Sequence, residues 1–179
     1  LSVINTKELS FENEKVYVPE KPFLYLLNYK NVNKVYIKIV KVDNYLEKEI
    51  SDANKFIREY SSKKGIFNDE INLIDDRDYN KHSVELKLPS LKSGYYYIFA
   101  GTDKEFKLEE NAVCYSSFWI SNISFIENRK KDSSIELYVI HRENGEPLPE
   151  VKVNIYESKY NDMLRKYEMI KTESYITDK

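Results

Sequence analysis

The sequence predicts an all-β sandwich with one helical insertion, followed by part of a second β-domain. Three observations predict it. The 179 residues include 16 Tyr and 8 Phe, and aromatic and β-branched residues favour strands. Short segments alternate apolar and polar residues with period two, the pattern of half-buried strands. Turn signals separate these segments at intervals typical of sandwiches. Only one stretch shows helical spacing instead.

Lys7 to Phe11 reads as a weak first strand. Val16-Tyr17-Val18-Pro19-Glu20-Lys21-Pro22 follows, and its two prolines hold the connection extended and keep it out of a central strand. Phe23 to Lys30 places Phe23, Tyr25, Leu27 and Tyr29 on one face. Asn31-Val32-Asn33 reads as a turn into Val35 to Val42, where Val35, Ile37 and Ile39 alternate with Tyr36, Lys38 and Val40. The two strands are expected to form a hairpin.

The period then changes. Leu46, Ile50, Ala53, Ile57 and Tyr60 lie on one face of a helix expected over about 44–61. Asp43 or Asn44 is the expected cap, and Gly65 lies just past the end. A single helix among strands is an insertion, not a parallel α/β layout.

Ile66 to Ile74 reads either as a strand or as an irregular edge, and Asp75-Asp76-Arg77-Asp78 as a loop. Ser83 to Leu88 turns Val84, Leu86 and Leu88 inward. Tyr95 to Gly101 is apolar on both faces, which places it centrally in its sheet. Thr102 to Asn111 is a polar connection to Ala112–Ile120, the last strand of the first unit. The polar run Asn128-Arg129-Lys130-Lys131-Asp132-Ser133-Ser134 marks the expected boundary, giving domains over 1–127 and 128–179. Ile135 to His141, Val151 to Tyr156 and a segment within Tyr167 to Ile176 supply strands beyond it. So short a second unit is too small for an independent core, and is expected to be half a domain or to pack on the first. The chain begins at Leu1 without Met and ends at Lys179 within a pattern, so a fragment or mature form of a larger protein is expected.

Composition narrows the chemistry. Lys plus Arg total 28 against 30 Asp plus Glu, a net charge of −2 that argues against a basic nucleic-acid interface. One cysteine, Cys114, excludes an internal disulfide and a four-cysteine zinc site. With 4 Gly, the chain holds neither a G-x-G-x-x-G nor a P-loop motif. His82, with Asp76, Asp78 and Ser83 near in sequence, contains the residue types of a hydrolytic triad but no nucleophile elbow. His141, beside Arg142 and Glu143, reads as a surface residue. Asp75, Asp76 and Asp78 offer carboxylates to a cation such as Ca²⁺, without the glycine or terminal glutamate of an EF-hand loop. Cys114 sits between Val113 and Tyr115 as a small buried hydrophobe. Tyr95-Tyr96-Tyr97 and Phe118-Trp119 could form a sugar-binding platform, but alternation sends half of each set inward. No catalytic, cofactor-binding or metal-binding residue is therefore assigned, and no cofactor is expected.

The order of these segments resembles a macroglobulin domain of the bacterial alpha-2-macroglobulin family. The likeness lies in Val18-Pro19-Glu20-Lys21-Pro22 leading to Leu26-Leu27-Asn28-Tyr29-Lys30-Asn31 and Val35-Tyr36-Ile37-Lys38-Ile39, with a helical insertion after Val40-Lys41-Val42-Asp43. It continues in Asp78-Tyr79-Asn80-Lys81-His82-Ser83, in Leu86 to Tyr96, and in Phe118-Trp119-Ile120-Ser121-Asn122-Ile123-Ser124, which resembles an exit strand. Glu136-Leu137-Tyr138-Val139-Ile140 and Glu143 to Val153 resemble the start of a following domain, with Asn144 where the family tends to have Thr.

The resemblance implies an immunoglobulin/fibronectin-III-like sandwich serving as a structural module of a protease-trapping inhibitor outside the cytoplasm. The implied partners are neighbouring domains of a parent chain and, through that parent, proteases; neither nucleic acid nor membrane is implied. The family's Cys-x-Glu-Gln thioester motif is absent, since Cys114 is followed by Tyr115-Ser116-Ser117. No functional residue of the family carries over. The competing expectation is a carbohydrate-binding or adhesin-like sandwich on a bacterial surface.

Overall fold

A computed structural model describes residues 5–43, 52–74, 78–109 and 111–178. Among them lie β1 (Glu8–Glu12), β2 (Val16–Tyr17), β3 (Phe23–Lys30), β4 (Lys34–Val42), α1 (Ala53–Ser61), β5 (Phe67–Asn72), β6 (His82–Leu88), β7 (Gly94–Gly101), β8 (Val113–Ile120), β9 (Ile123–Arg129), β10 (Ile135–His141), β11 (Lys152–Asn161) and β12 (Lys166–Ile176). The chain divides into two compact units between Ile120 and Ser121.

The first unit is a β-sandwich. One sheet has three strands in the order β1-β3-β6, and the other has five in the order β2-β8-β7-β4-β5. Alternation builds the core between them. β3 contributes Phe23, Tyr25, Leu27 and Tyr29, β6 contributes Leu86 and Leu88, and β4 contributes Val35, Ile37 and Ile39. β7 and β8 add Tyr96, Ile98, Ala100, Phe118 and Ile120 from the facing sheet. Burying each large apolar side chain is worth about 1.5–3 kcal/mol, so this cluster is the main stabilising term.

The five-stranded sheet is also covered on its outer face. Val40, Val42 and Phe99 pack there with Phe56, Ile57 and Tyr60 of α1 and with Phe106 from the β7–β8 connection. β7 lies between β4 and β8, with neighbours on both edges and on both faces, as its two apolar rows predict. Phe106 presses so close to Gly101 that a Cβ there would stand 2.9 Å from its ring. Glycine at this position lets the connection fold back onto the sheet.

Three expectations need correction. β3 and β4 do not form a hairpin. β3 pairs with β1 and β6, whereas β4 pairs with β5 and β7. The chain passes from one sheet to the other through Asn31, whose φ is 55° and whose side chain donates to Thr6 O, and through Val32, which is buried. Both strands still turn their odd-numbered residues to the same core, so alternation alone does not separate an arch from a hairpin.

The helix is the second. Ala53–Ser61 is helical, and residues 44–51 of the expected span lie outside the described residues. The cap is Asp52, whose Oδ1 accepts from Asn54 N at 2.9 Å and Lys55 N at 3.1 Å. The buried face is Phe56, Ile57, Tyr60 and Ser61, and Ala53 is exposed in the first turn. The third is the segment expected as a boundary. Residues 130–134 are the turn of a hairpin in which β9 pairs with β10, closed by Lys130 N to Ser134 O at 2.9 Å. The division falls instead before β9.

Ile66 to Ile74, ambiguous in sequence, contains the edge strand β5. Among the described residues, the second unit contains two two-stranded sheets, β9–β10 and β11–β12. A bulge between Ile155 and Tyr156 interrupts the register of the second ribbon. Val139 is the one described hydrophobe of this unit that is buried; Ile123, Phe125, Ile135, Tyr138, Tyr175 and Ile176 remain exposed.

Candidate functional site

Strand geometry separates most of the residues singled out in the sequence. His82 opens β6, and its Nε2 lies 2.9 Å from Asp78 Oδ1. Its ring stands 5.6 Å from that of Tyr29. Ser83 follows in the same strand and turns to the opposite face, where its Oγ donates to Asn28 Oδ1 at 2.6 Å. A serine one residue from a histidine on a strand cannot share its proton, so these residues form no triad.

Asp78 is held by its own turn. Its carboxylate accepts from Asn80 N and Asn80 Nδ2, both at 2.9 Å, as well as facing His82. These bonds, the backbone one foremost, lower its pKa to about 2. Asp75 and Asp76 lie outside the described residues. Among the described residues, no three His, Cys, Asp or Glu side chains converge as metal ligands.

His141 ends β10 opposite Ile123. Its backbone closes the following turn, with its N–H donating to Glu146 O and its carbonyl accepting from Gly145 N. Its Nδ1 and the Oδ1 of Asn122 are buried without a hydrogen-bond partner. Cys114 lies opposite Ala100 and packs against the sandwich core. Burial pushes its thiol up to about 12, the reverse of an activated nucleophile.

The aromatic residues divide by alternation as expected. Tyr96 points inward, donates to Lys92 O at 2.6 Å and stacks on Phe118 at 5.6 Å. Tyr97 points outward between Phe56 and Tyr60, and burial raises its hydroxyl well above the usual tyrosine range. Tyr95 and Trp119 are half-buried neighbours on the outer face, with rings 4.7 Å apart and tilted by 44°. Tyr95 meets Tyr97 nearly edge-on at 71°. A platform that stacks the C–H face of a sugar needs coplanar rings, and these rings do not share a plane.

One polar set was not legible in the sequence. Ser116 Oγ, on the inner face of β8, donates to Asn13 Oδ1 at 2.8 Å. Tyr25 Oη is buried beside the Ser116 hydroxyl, and burial holds its own hydroxyl far above the ordinary tyrosine value. Asn13 is separated from Ser116 by most of the first unit, and no local pattern signals such a pairing.

Among the described residues, the side chains singled out in the sequence are an imidazole facing a carboxylate, a buried thiol and interlocked aromatics. Among the described residues no helix is long and apolar enough to cross a membrane. No protein-family model matches the chain, and no curated protein matches it.

Proposed function

We propose that the chain is a non-catalytic structural module of an alpha-2-macroglobulin-like protease-trapping inhibitor that acts outside the cytoplasm. The observation that carries the reading is architectural. A sandwich of three and five strands has a helix inserted after β4, and a second β-unit follows directly. That sequence of parts accords with the resemblance in the segment order.

The distribution of chemistry is compatible with a scaffold role. The first unit commits its aromatics to two packed clusters, and the second leaves large apolar side chains exposed. Exposed large apolar side chains, where they are contiguous, mark interaction surfaces. On this reading the partners are neighbouring domains of the parent chain, with proteases engaged through the whole molecule. The carbohydrate-binding alternative requires coplanar exposed aromatics, and the tilted Tyr95–Trp119 pair lends it no support.

The test mixes the full-length parent with an active protease and measures cleavage of a large protein and of a small peptide. A caged protease loses the first activity and keeps the second. If both activities persist across proteases of different specificity, the trap reading fails.

A further inference from the structure

The β11–β12 ribbon ends in the turn 162–165, which closes the Asn161–Lys166 pair. Asn161 Oδ1 accepts from the backbone N–H of both Met163 and Leu164, each at 3.1 Å. This pair of hydrogen bonds to one side-chain oxygen fixes the turn and leaves its two apolar residues exposed. Met163 is 93% exposed and Leu164 57%. In the next pair along the ribbon, Tyr160 and Tyr167 face each other with rings 5.2 Å apart, also more than half exposed.

The charges at this tip are arranged in two classes. Lys159 pairs with Glu157 at 3.1 Å, and Lys166 with Glu168 at 3.2 Å. Asp162 and Arg165, which flank the apolar pair, make no ion pair or hydrogen bond through their side chains with a described residue. The turn therefore reads acid, apolar, apolar, base.

We propose that this tip is a self-complementary docking surface for a second copy of the chain. A two-fold axis makes residue i of one copy meet residue j of the other, and j meet i. An axis through the middle of the turn sets Asp162 of each copy against Arg165 of the other and Met163 against Leu164. The four unpartnered side chains then satisfy one another, with the tyrosine pairs at the rim. A lipid surface fits less well. Two apolar residues bury far less than one acyl chain, which by itself gives only marginal binding, and the Asp162 carboxylate would have to enter the interface with them.

The tip is small beside a standard interface of about 800 Å² per partner, so association is weak, with a dissociation constant on the order of 0.1–1 mM. Sedimentation equilibrium of the 179-residue chain from roughly 20 µM to 1 mM tests it. Wild type is expected to dimerise in this range, less so in high salt because the ion pairs are exposed. Asp162→Arg and Arg165→Asp are each expected to weaken dimerisation about tenfold or more, and the double swap to recover most of it. Aspartate is tolerated at the positive φ of Arg165. Met163→Ser is expected to weaken dimerisation in every charge background.

A monomer throughout the range overturns the proposal, as do single-charge variants that associate like wild type or a double swap that does not recover. Binding of phosphatidylcholine vesicles without self-association also overturns it and assigns the tip to lipid. The inference does not depend on the protease-trap reading.

Discussion

Replacing Phe56 by Ala should undock α1 from the five-stranded sheet. Phe56 is buried on the helix face that meets the sheet, and three rings stand within 5 Å of its centroid: Tyr60 at 4.7 Å, Tyr97 at 4.7 Å and Tyr115 at 4.5 Å. Phe-to-Ala substitutions in cores cost about 3–5 kcal/mol. Tyr115 is partly exposed, so water and side-chain relaxation can fill part of the void, which sets the expectation at about 3 kcal/mol. A helix as short as Ala53–Ser61 has no stability of its own, since isolated helices below about 12–15 residues are marginal. The loss should therefore appear first as local opening. Amide exchange across residues 53–61 is expected to accelerate roughly 100-fold, the equivalent of about 3 kcal/mol. Exchange in β7, whose inner face belongs to the other cluster, should change far less. Exchange over 53–61 within about threefold of wild type would refute the claim that this packing holds the helix.

The other predictions concern single groups. Lys38 Nζ donates to Ser61 O at 2.7 Å at the end of α1 and lies 5.4 Å from the Phe106 ring; Lys38→Met should cost about 1 kcal/mol in urea unfolding, the worth of one such bond. Burial lowers the Lys38 pKa, so the folded state binds fewer protons near the unfolded lysine value and stability should rise as pH climbs toward that value; Lys38→Met should remove the rise. Asp78 has its folded pKa depressed to about 2, so its contribution is present above the ordinary aspartate value near 4 and lost as pH falls toward 2. Comparing urea midpoints of wild type and Asp78→Asn over that range should show a pH-dependent gap that closes at the acid end. Cys114, pushed up to about 12, should resist iodoacetamide at pH 8 in the native chain and react in urea; rapid native labelling would refute its burial.

Much of the fold could be read from period two. Phe23, Tyr25, Leu27 and Tyr29, and likewise Leu86 and Leu88, occupy the core rows that their spacing indicates. β7 is central because both of its rows are apolar, and each row found its own cluster. The pairing of strands was less legible. β3 and β4 would present the same odd-numbered rows to a core whether folded as a hairpin or as an arch. The second row of β4, where Val40 and Val42 pack with α1 on the outer face, reports only that this strand is covered on both sides. β9 is hidden in the sequence for a different reason. Glu127, Asn128 and Arg129 carry the polar run into the strand itself, because the end of a solvated ribbon needs no apolar row.

Chemistry was harder to assign than fold, and the cause is the same alternation. Adjacent residues in a strand face opposite ways, so sequence neighbours such as His82 and Ser83 are separated by the sheet and engage different partners, Asp78 and Asn28. The contacts that do converge join distant segments: Asn13 with Ser116, Lys38 with Ser61, and Arg58 with Glu109 at 2.9 Å. Each of them joins segments far apart in sequence. The second unit shows the complementary case. Two-stranded ribbons are marginal alone in water, and this unit buries a single apolar residue among those described. Its exposed rows of Ile, Phe and Tyr are therefore the part of the molecule with most to gain from a partner. Substitutions of Phe125 or Ile135 by Ser should accordingly leave the stability of the first unit unchanged while weakening whatever assembly covers the second.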